Sequence, residues 1–235
     1  MSSKVLSGIV AVIALSMGFG AEAAPIYVDD FSNDGLELTT DTDDGIPSFL
    51  DQSGVPSVIG TGDRNGTVFQ VSPLASTSSQ DTEMFIEVDT SRAFLNSGSN
   101  VTSRWTLAYG LDDPNDIDLT DGGLNTHLQV QFLAADVAGT TVKVTATDFF
   151  GNSFALTSAA VGTGMSNVYF AFTDFTGIDF TRWSSATYEF NGAPGADHEI
   201  GLLIATDPTI PAPLALPAGL ALLTGLLLLR RKRLV

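Results

Sequence analysis

The stretch TTDTDDGIPSFLDQSG, residues 39–54, sets Asp41, Asp43, Asp44 and Asp51 around a glycine turn. Hard cations such as calcium take roughly six to eight oxygen ligands from flexible loops of this composition. These four carboxylates are therefore the candidate metal ligands, and calcium is the one candidate cofactor. The same residues also suit a solvated acidic loop. A second acidic stretch, LDDPNDIDLTDGG at 111–123, carries Asp112, Asp113, Asp116, Asp118 and Asp121. Pro114-Asn115 and Asp121-Gly122-Gly123 read as exposed turns flanking a short strand, whose carbonyls would supplement a calcium site at the edge of a sheet.

Other reactive chemistry is thinly supplied. Cysteine is absent, which excludes disulfides, thiol nucleophiles and thiolate metal sites together. The chain has two histidines, His127 at the start of an alternating run and His198 in the loop-like GAPGADHE, and neither accompanies a nucleophile motif such as Gly-x-Ser-x-Gly. Paired carboxylates could hydrolyse a glycoside, so a secreted glycoside hydrolase is the alternative function. Acids are so frequent here that pairs arise by chance. Glycan binding requires an exposed aromatic platform beside oriented polar groups. Trp105 and Tyr109 share one strand face with Leu107 and read as core, as such stripes in sandwiches generally are. Trp183, following Arg182 between two strand-like runs, is the candidate ligand platform.

The elements that must position these residues are strands. In HLQVQFLAAD, Leu128, Val130 and Phe132 alternate with Gln129 and Gln131; Val142, Val144 and Ala146 do the same in TVKVTATD, and Val168, Phe170 and Phe172 in NVYFAFTDF. Further runs are VFQVS, MFIEVDT, RWTLAYGL, SFALTSAAV, ATYEFNGA and EIGLLIATD, separated by glycine and asparagine turns, with DFFGN (148–152) a hairpin turn. With a first strand near residues 25–31, about ten short antiparallel strands result, half polar and half apolar, as two packed sheets demand. The expected fold is all-β, a jelly-roll-like antiparallel sandwich over residues 24–207.

The two ends are of another kind. Residues 1–23 hold one Lys, an apolar run from Val5 to Met17, and Ala21-Glu22-Ala23 in the small-x-small spacing of signal cleavage, predicted after Ala23. Residues 208–213 form a proline-rich linker, 214–229 an uncharged apolar helix close to a minimal membrane span, and 230–235 a basic tail led by Arg230, Arg231, Lys232 and Arg233. Four cations stop transfer, so the tail stays in the cytoplasm and the body outside. Between residues 24 and 207 stand 26 acidic residues against five cations, a net of −21, while the whole chain carries −17. Such a body repels phosphate backbones, and no nucleic-acid partner is expected.

This order of proline motif, apolar span and basic cluster resembles the PEP-CTERM class of exosortase substrates. Pro211, Pro213, Leu214, Leu216, Pro217, Ala218 and Gly219 look most like its VPLPA-type variant, although no Pro-Glu-Pro occurs and Leu-Ala-Leu-Pro-Ala stands for Val-Pro-Leu-Pro-Ala. The resemblance covers about the last 25 residues. It implies a Gram-negative bacterial protein, held in the inner membrane during export and then cut by an exosortase-like protease for release or transfer to the surface. In the body, Asp30-Phe31-Ser32, Val58-Ile59-Gly60, Asp63-Arg64, Leu107-Ala108-Tyr109 and Ile117–Gly123 resemble the galactose-binding-like sandwich domains carried by such proteins. Asp44-Gly45-Ile46-Pro47 with Leu50-Asp51 also resembles the calcium repeats of thrombospondin type 3, as a solitary copy with Ser48 where an Asp is usual. The spacing fits no EF-hand. The expected function is non-catalytic: an envelope or extracellular-matrix module with exopolysaccharide as its expected partner.

Overall fold

The computed structural model describes residues 23–40, 48–72, 82–112 and 114–208. Ala21, Asp41, Asp43, Asp44 and the whole sorting region from Pro211 to Arg233 lie outside the described residues, as do the expected signal and transmembrane helices. Among the described residues no helix is long and apolar enough to cross a membrane.

Among the described residues thirteen antiparallel strands form two sheets. The first runs β11 (Ser166–Ala171), β8 (His127–Ala135), β13 (His198–Thr206), β6 (Arg92–Ser97), β5 (Thr82–Glu87), β2 (Glu37–Thr40), with β1 (Ile26–Asp29) beside the second half of β13. The second runs β10 (Ser153–Thr157), β9 (Thr141–Asp148), β12 (Trp183–Asn191), β7 (Thr102–Tyr109), β4 (Arg64–Ser72), β3 (Ser48–Gln52). The jelly-roll-like sandwich expected from the alternation is present. The predicted inward residues of β8 and β9 are buried, and Trp105, Leu107 and Tyr109 of β7 are wholly so. Three short strands escape the pattern, β2, β3 and β6. Four or five residues carry too few periods to stand out, and β6 follows β5 after a single turn at Val88–Thr90 closed by Ser91 at φ 53°.

One end of the core is held by ions rather than by apolar packing alone. Asp29 and Arg64 are both fully buried and pair at 2.9 Å, while Tyr109 donates its hydroxyl to the same carboxylate oxygen at 3.1 Å. The other oxygen of Asp29 accepts from Phe31 N and Ser57 Oγ. Arg64 also reaches Gln52 Oε1 and the carbonyls of Asn33 and Asp34. Burial raises the Asp29 carboxyl above its usual range despite Arg64, so desolvation outweighs the opposing cation. The hairpin predicted at 148–152 is built on Asp148, whose oxygens accept from Phe150 N, both nitrogens of Asn152 and Asp179 N. Gly151, at φ 83°, adopts the left-handed turn that a side chain would strain.

Candidate functional site

Alternation on β5 and β6 turns Met84, Ile86, Ala93 and Leu95 inward and leaves Glu83, Phe85, Glu87, Arg92, Phe94 and Asn96 on the outer face of the first sheet. Register places Phe85 directly opposite Phe94, and Phe94 opposite Glu199 of β13. The two phenylalanine rings stack at 4.6 Å between centroids, 11° from parallel. Two hollows adjoin this aromatic pair. The first, of about 380 Å³, is lined by Phe94, Asn96, Leu133, Met165, Asp136, Asp197 and Glu199 among others. The second, of about 490 Å³, is lined by Phe85, Gly35, Glu37, Glu83 and Glu87. Each hollow thus joins an aromatic edge to a set of carboxylates.

Two carboxylates of the first hollow are held by the backbone. Asp136 Oδ1 accepts from Asp197 N at 2.7 Å, and Asp197 Oδ1 accepts from Ser97 N at 3.0 Å. Desolvation raises the Asp197 carboxyl above its usual range; Ser97 opposes this and the like charge of Asp136 adds to it. Glu199 pairs with Arg92 at 2.8 Å across the neighbouring strand. His198, expected in a loop, instead opens β13 and is buried against Trp105 and Phe132, with Nε2 bonded to Thr140 Oγ1 at 2.7 Å. Its Nδ1 has no partner among the described residues. Burial holds its pKa below the ordinary imidazole range, partly offset by Asp136.

Both polymer binding and small-ligand binding use such surfaces: apolar rings to lie against, and fixed acceptors to orient hydroxyl or ammonium donors. The chain is similar to solved carbohydrate-binding modules. A family 11 module of the cellulosomal cellulase Lic26A-Cel5E of Clostridium thermocellum is 12% identical with a TM-score of 0.38, over 80% of this chain and 97% of the module. The family 11 module from Clostridium thermocellum in complex with a β-1,3-1,4-mixed-linked tetrasaccharide is 11% identical, TM-score 0.34, over 72% and 95%. An agarase, AgWH50C, is 11% identical with a TM-score of 0.40; the match takes in 78% of this chain and 26% of the agarase. No protein-family model and no curated protein matches the sequence.

Trp183 does not serve as the platform expected of it. It is fully buried, because residues 115–119 run beside the start of β12: Ile117 and Trp183 exchange backbone hydrogen bonds, and Asn115 N donates to Ser184 O. The exposed groups at this end are its neighbours. Phe149 and Phe150 project from the hairpin with the Arg182 guanidinium 4.2 and 4.8 Å from their ring centroids, and Arg182 is held bidentately by Asp116. That bond lowers the Asp116 carboxyl below its usual range.

Of the four expected metal ligands only Asp51 is described, and it sits on β3 rather than in a loop. Its carboxylate meets those of Asp63 and Asp112, with ligand oxygens all within 4.8 Å of one another. Asp63 is buried and accepts from Asp112 N, while Asn65 donates to Asp112 Oδ2 at 3.0 Å. The donor set, all carboxylate oxygen, is of the hard type calcium prefers. Asp112 comes from the second acidic stretch, so the structure joins the two that the sequence kept apart. Asp63 lay unnoticed as a ligand because its signal, the Asp63-Arg64 pair, was legible only as a fold fragment.

Proposed function

We propose that this protein is an exported, non-catalytic, glycan-associated module of the cell envelope or extracellular matrix, with exopolysaccharide as its partner. In this reading the C-terminal segment holds it at the inner membrane until an exosortase-like protease cuts near Pro211–Gly219. The outer face of the first sheet carries the glycan reading. A pyranose presents an apolar C–H face and a rim of hydroxyl donors; the Phe85–Phe94 pair supplies apolar surface for the one, and the carboxylates of the two hollows, among them the backbone-braced Asp136 and Asp197, supply acceptors for the other. Export rests on the sequence: the apolar run and Ala21-Glu22-Ala23 at one end, and the uncharged span stopped by four cations at the other.

A glycoside hydrolase is the second reading, and the two carboxylates that line the first hollow side by side, Asp136 and Asp197, are the pair that favours it. Against it, one oxygen of each carboxylate already braces a backbone N–H. The test is a glycan array and turnover panel with the full-length chain in neutral detergent. Retention of oligosaccharide without turnover, weakened by Phe94→Ala, is the expected result. Retention of no glycan sinks the proposal; turnover abolished by Asp197→Asn makes the hydrolase the better reading.

A further inference from the structure

Residues 149–173 run for twenty-five positions without a charged side chain or a proline, in a chain whose body carries −21. They supply the edge strands of both sheets on one side of the sandwich, β10 for the second sheet and β11 for the first. Edge strands present unpaired N–H and C=O groups, and proteins guard them with charge, proline or bulges. The far edges follow that rule, with Glu37 on β2 and Asp51 on β3. β10, Ser-Phe-Ala-Leu-Thr, does not. Its pairing with β9 is flanked by bonds from Asp148 N to Asn152 O and from Ser158 N to Val142 O. Antiparallel bonding alternates, so the even-numbered residues bond β9, while Ser153, Ala155 and Thr157 point their backbone groups outward. The side chains of these three are small and exposed. Before the strand stands Phe150, 64% exposed, and after it Ala159 and Ala160, also exposed.

We propose that β10 pairs with β10 of a second copy of this chain, antiparallel and centred on a two-fold axis at Ala155. In that register Ala155 faces the partner's Ala155 and Ser153 faces the partner's Thr157, so the outward groups of all three residues find partners. Phe154, half-buried against the core, falls opposite the partner's Leu156, which continues the apolar inner face from one copy to the next. The same register, carried past the strand, sets the exposed Phe150 against the partner's Ala160. Charge selects the occupant. A second copy brings its own −21, and at β2 or β3 an acid would meet its like, whereas β10 itself carries no charge to repel. The pairing joins two six-stranded sheets edge to edge. It does not use the Phe85–Phe94 face, which belongs to the other sheet, so it is independent of the glycan reading.

Sedimentation velocity of the full-length chain in neutral detergent tests this. The chain should dimerise with concentration, and more tightly as salt rises, because screening weakens the repulsion between two acidic bodies. Ala155→Asp should weaken the dimer about fivefold, and Ala155→Lys likewise, since each sets like charges directly opposite one another. Mixing the two variants should restore association, which only a register that opposes residue 155 to itself allows. The chain has no cysteine, so one placed there reads the contact directly. Opposed residues of a bonded antiparallel pair stand about 5.5 Å apart at Cα, within disulfide reach. Under mild oxidation Ala155→Cys should therefore cross-link to a covalent dimer, and Thr39→Cys on the β2 edge should not. Folding of each variant is checked by the fluorescence of the buried Trp105 and Trp183, and the cysteine variant carries the test if the charged ones misfold. A monomer at every concentration overturns the proposal. So does a dimer that both charged variants leave unchanged, which puts the contact on β11 or on the C-terminal apolar segment, and so does cross-linking no faster at position 155 than at 39.

Discussion

Replacing Asp29 by Asn should destabilise the protein by about 3 kcal/mol, the lower end of the roughly 3–5 kcal/mol lost when one partner of a buried ion pair is removed. The figure follows from what the amide can and cannot replace. Its oxygen can keep the bonds from Phe31 N and Ser57 Oγ, but its NH2 then faces Arg64 Nη1 and the Tyr109 hydroxyl. The hydroxyl can turn and accept. The guanidinium has no acceptor to offer and stays buried with its charge uncompensated. Gln52 and the carbonyls of Asn33 and Asp34 still hold its other nitrogens, which keeps the loss from the upper end. Urea unfolding followed by the fluorescence of the two buried tryptophans, Trp105 and Trp183, gives the measurement. The midpoint should fall with an unchanged slope, and the melting temperature by about 6–12 °C at roughly 2–4 °C per kcal/mol for a chain this size. A loss below about 1 kcal/mol, the scale of a surface pair, would refute the view that this cluster anchors the end of the core.

Calcium should raise the melting temperature through the carboxylates of Asp51, Asp63 and Asp112, by about 2.7 kcal/mol of stability at a hundredfold excess over Kd. Asp51→Asn should abolish the rise, and an unchanged melt across millimolar calcium removes the site. His198 predicts a pH dependence of definite sign. Its folded pKa lies below the unfolded value of about 6.5, so its contribution is complete above that value and is lost as pH falls through the folded pKa. His198→Gln should flatten the stability profile just below pH 6.5, and a profile identical to wild type there would contradict the assignment. Intact mass of the protein from membrane and secreted fractions of its host should show both ends lost, the C-terminal cut lying between Pro211 and Gly219. A membrane-bound chain ending at Val235 would mean a permanent anchor instead.

Much of the fold was legible because strand periodicity is local. A side chain two residues along faces the same way, so the inward sets of β8 and β9 follow from the local order of residues alone. The scattered fragments also proved to belong together. Asp29 bridges Val58, Ile59 N donates to Val28 O, and Arg64 and Tyr109 both meet the Asp29 carboxylate. Their order in the chain was visible; that Asp29, and not Asp30, is the buried partner was not, since Asp30 caps Ser32 N locally. Whether an aromatic lies in the core or at the surface depends on what crosses it. Trp183 is covered by residues 115–119, more than sixty positions earlier, while Phe94, between Phe85 and Glu199 on the outer face, is half-buried. The sequence by itself determined the class of fold, the charge of the body and the contrast of its two ends. Register between distant strands decided which acids and rings share a surface, because those pairings form through backbone hydrogen bonds that no local pattern encodes.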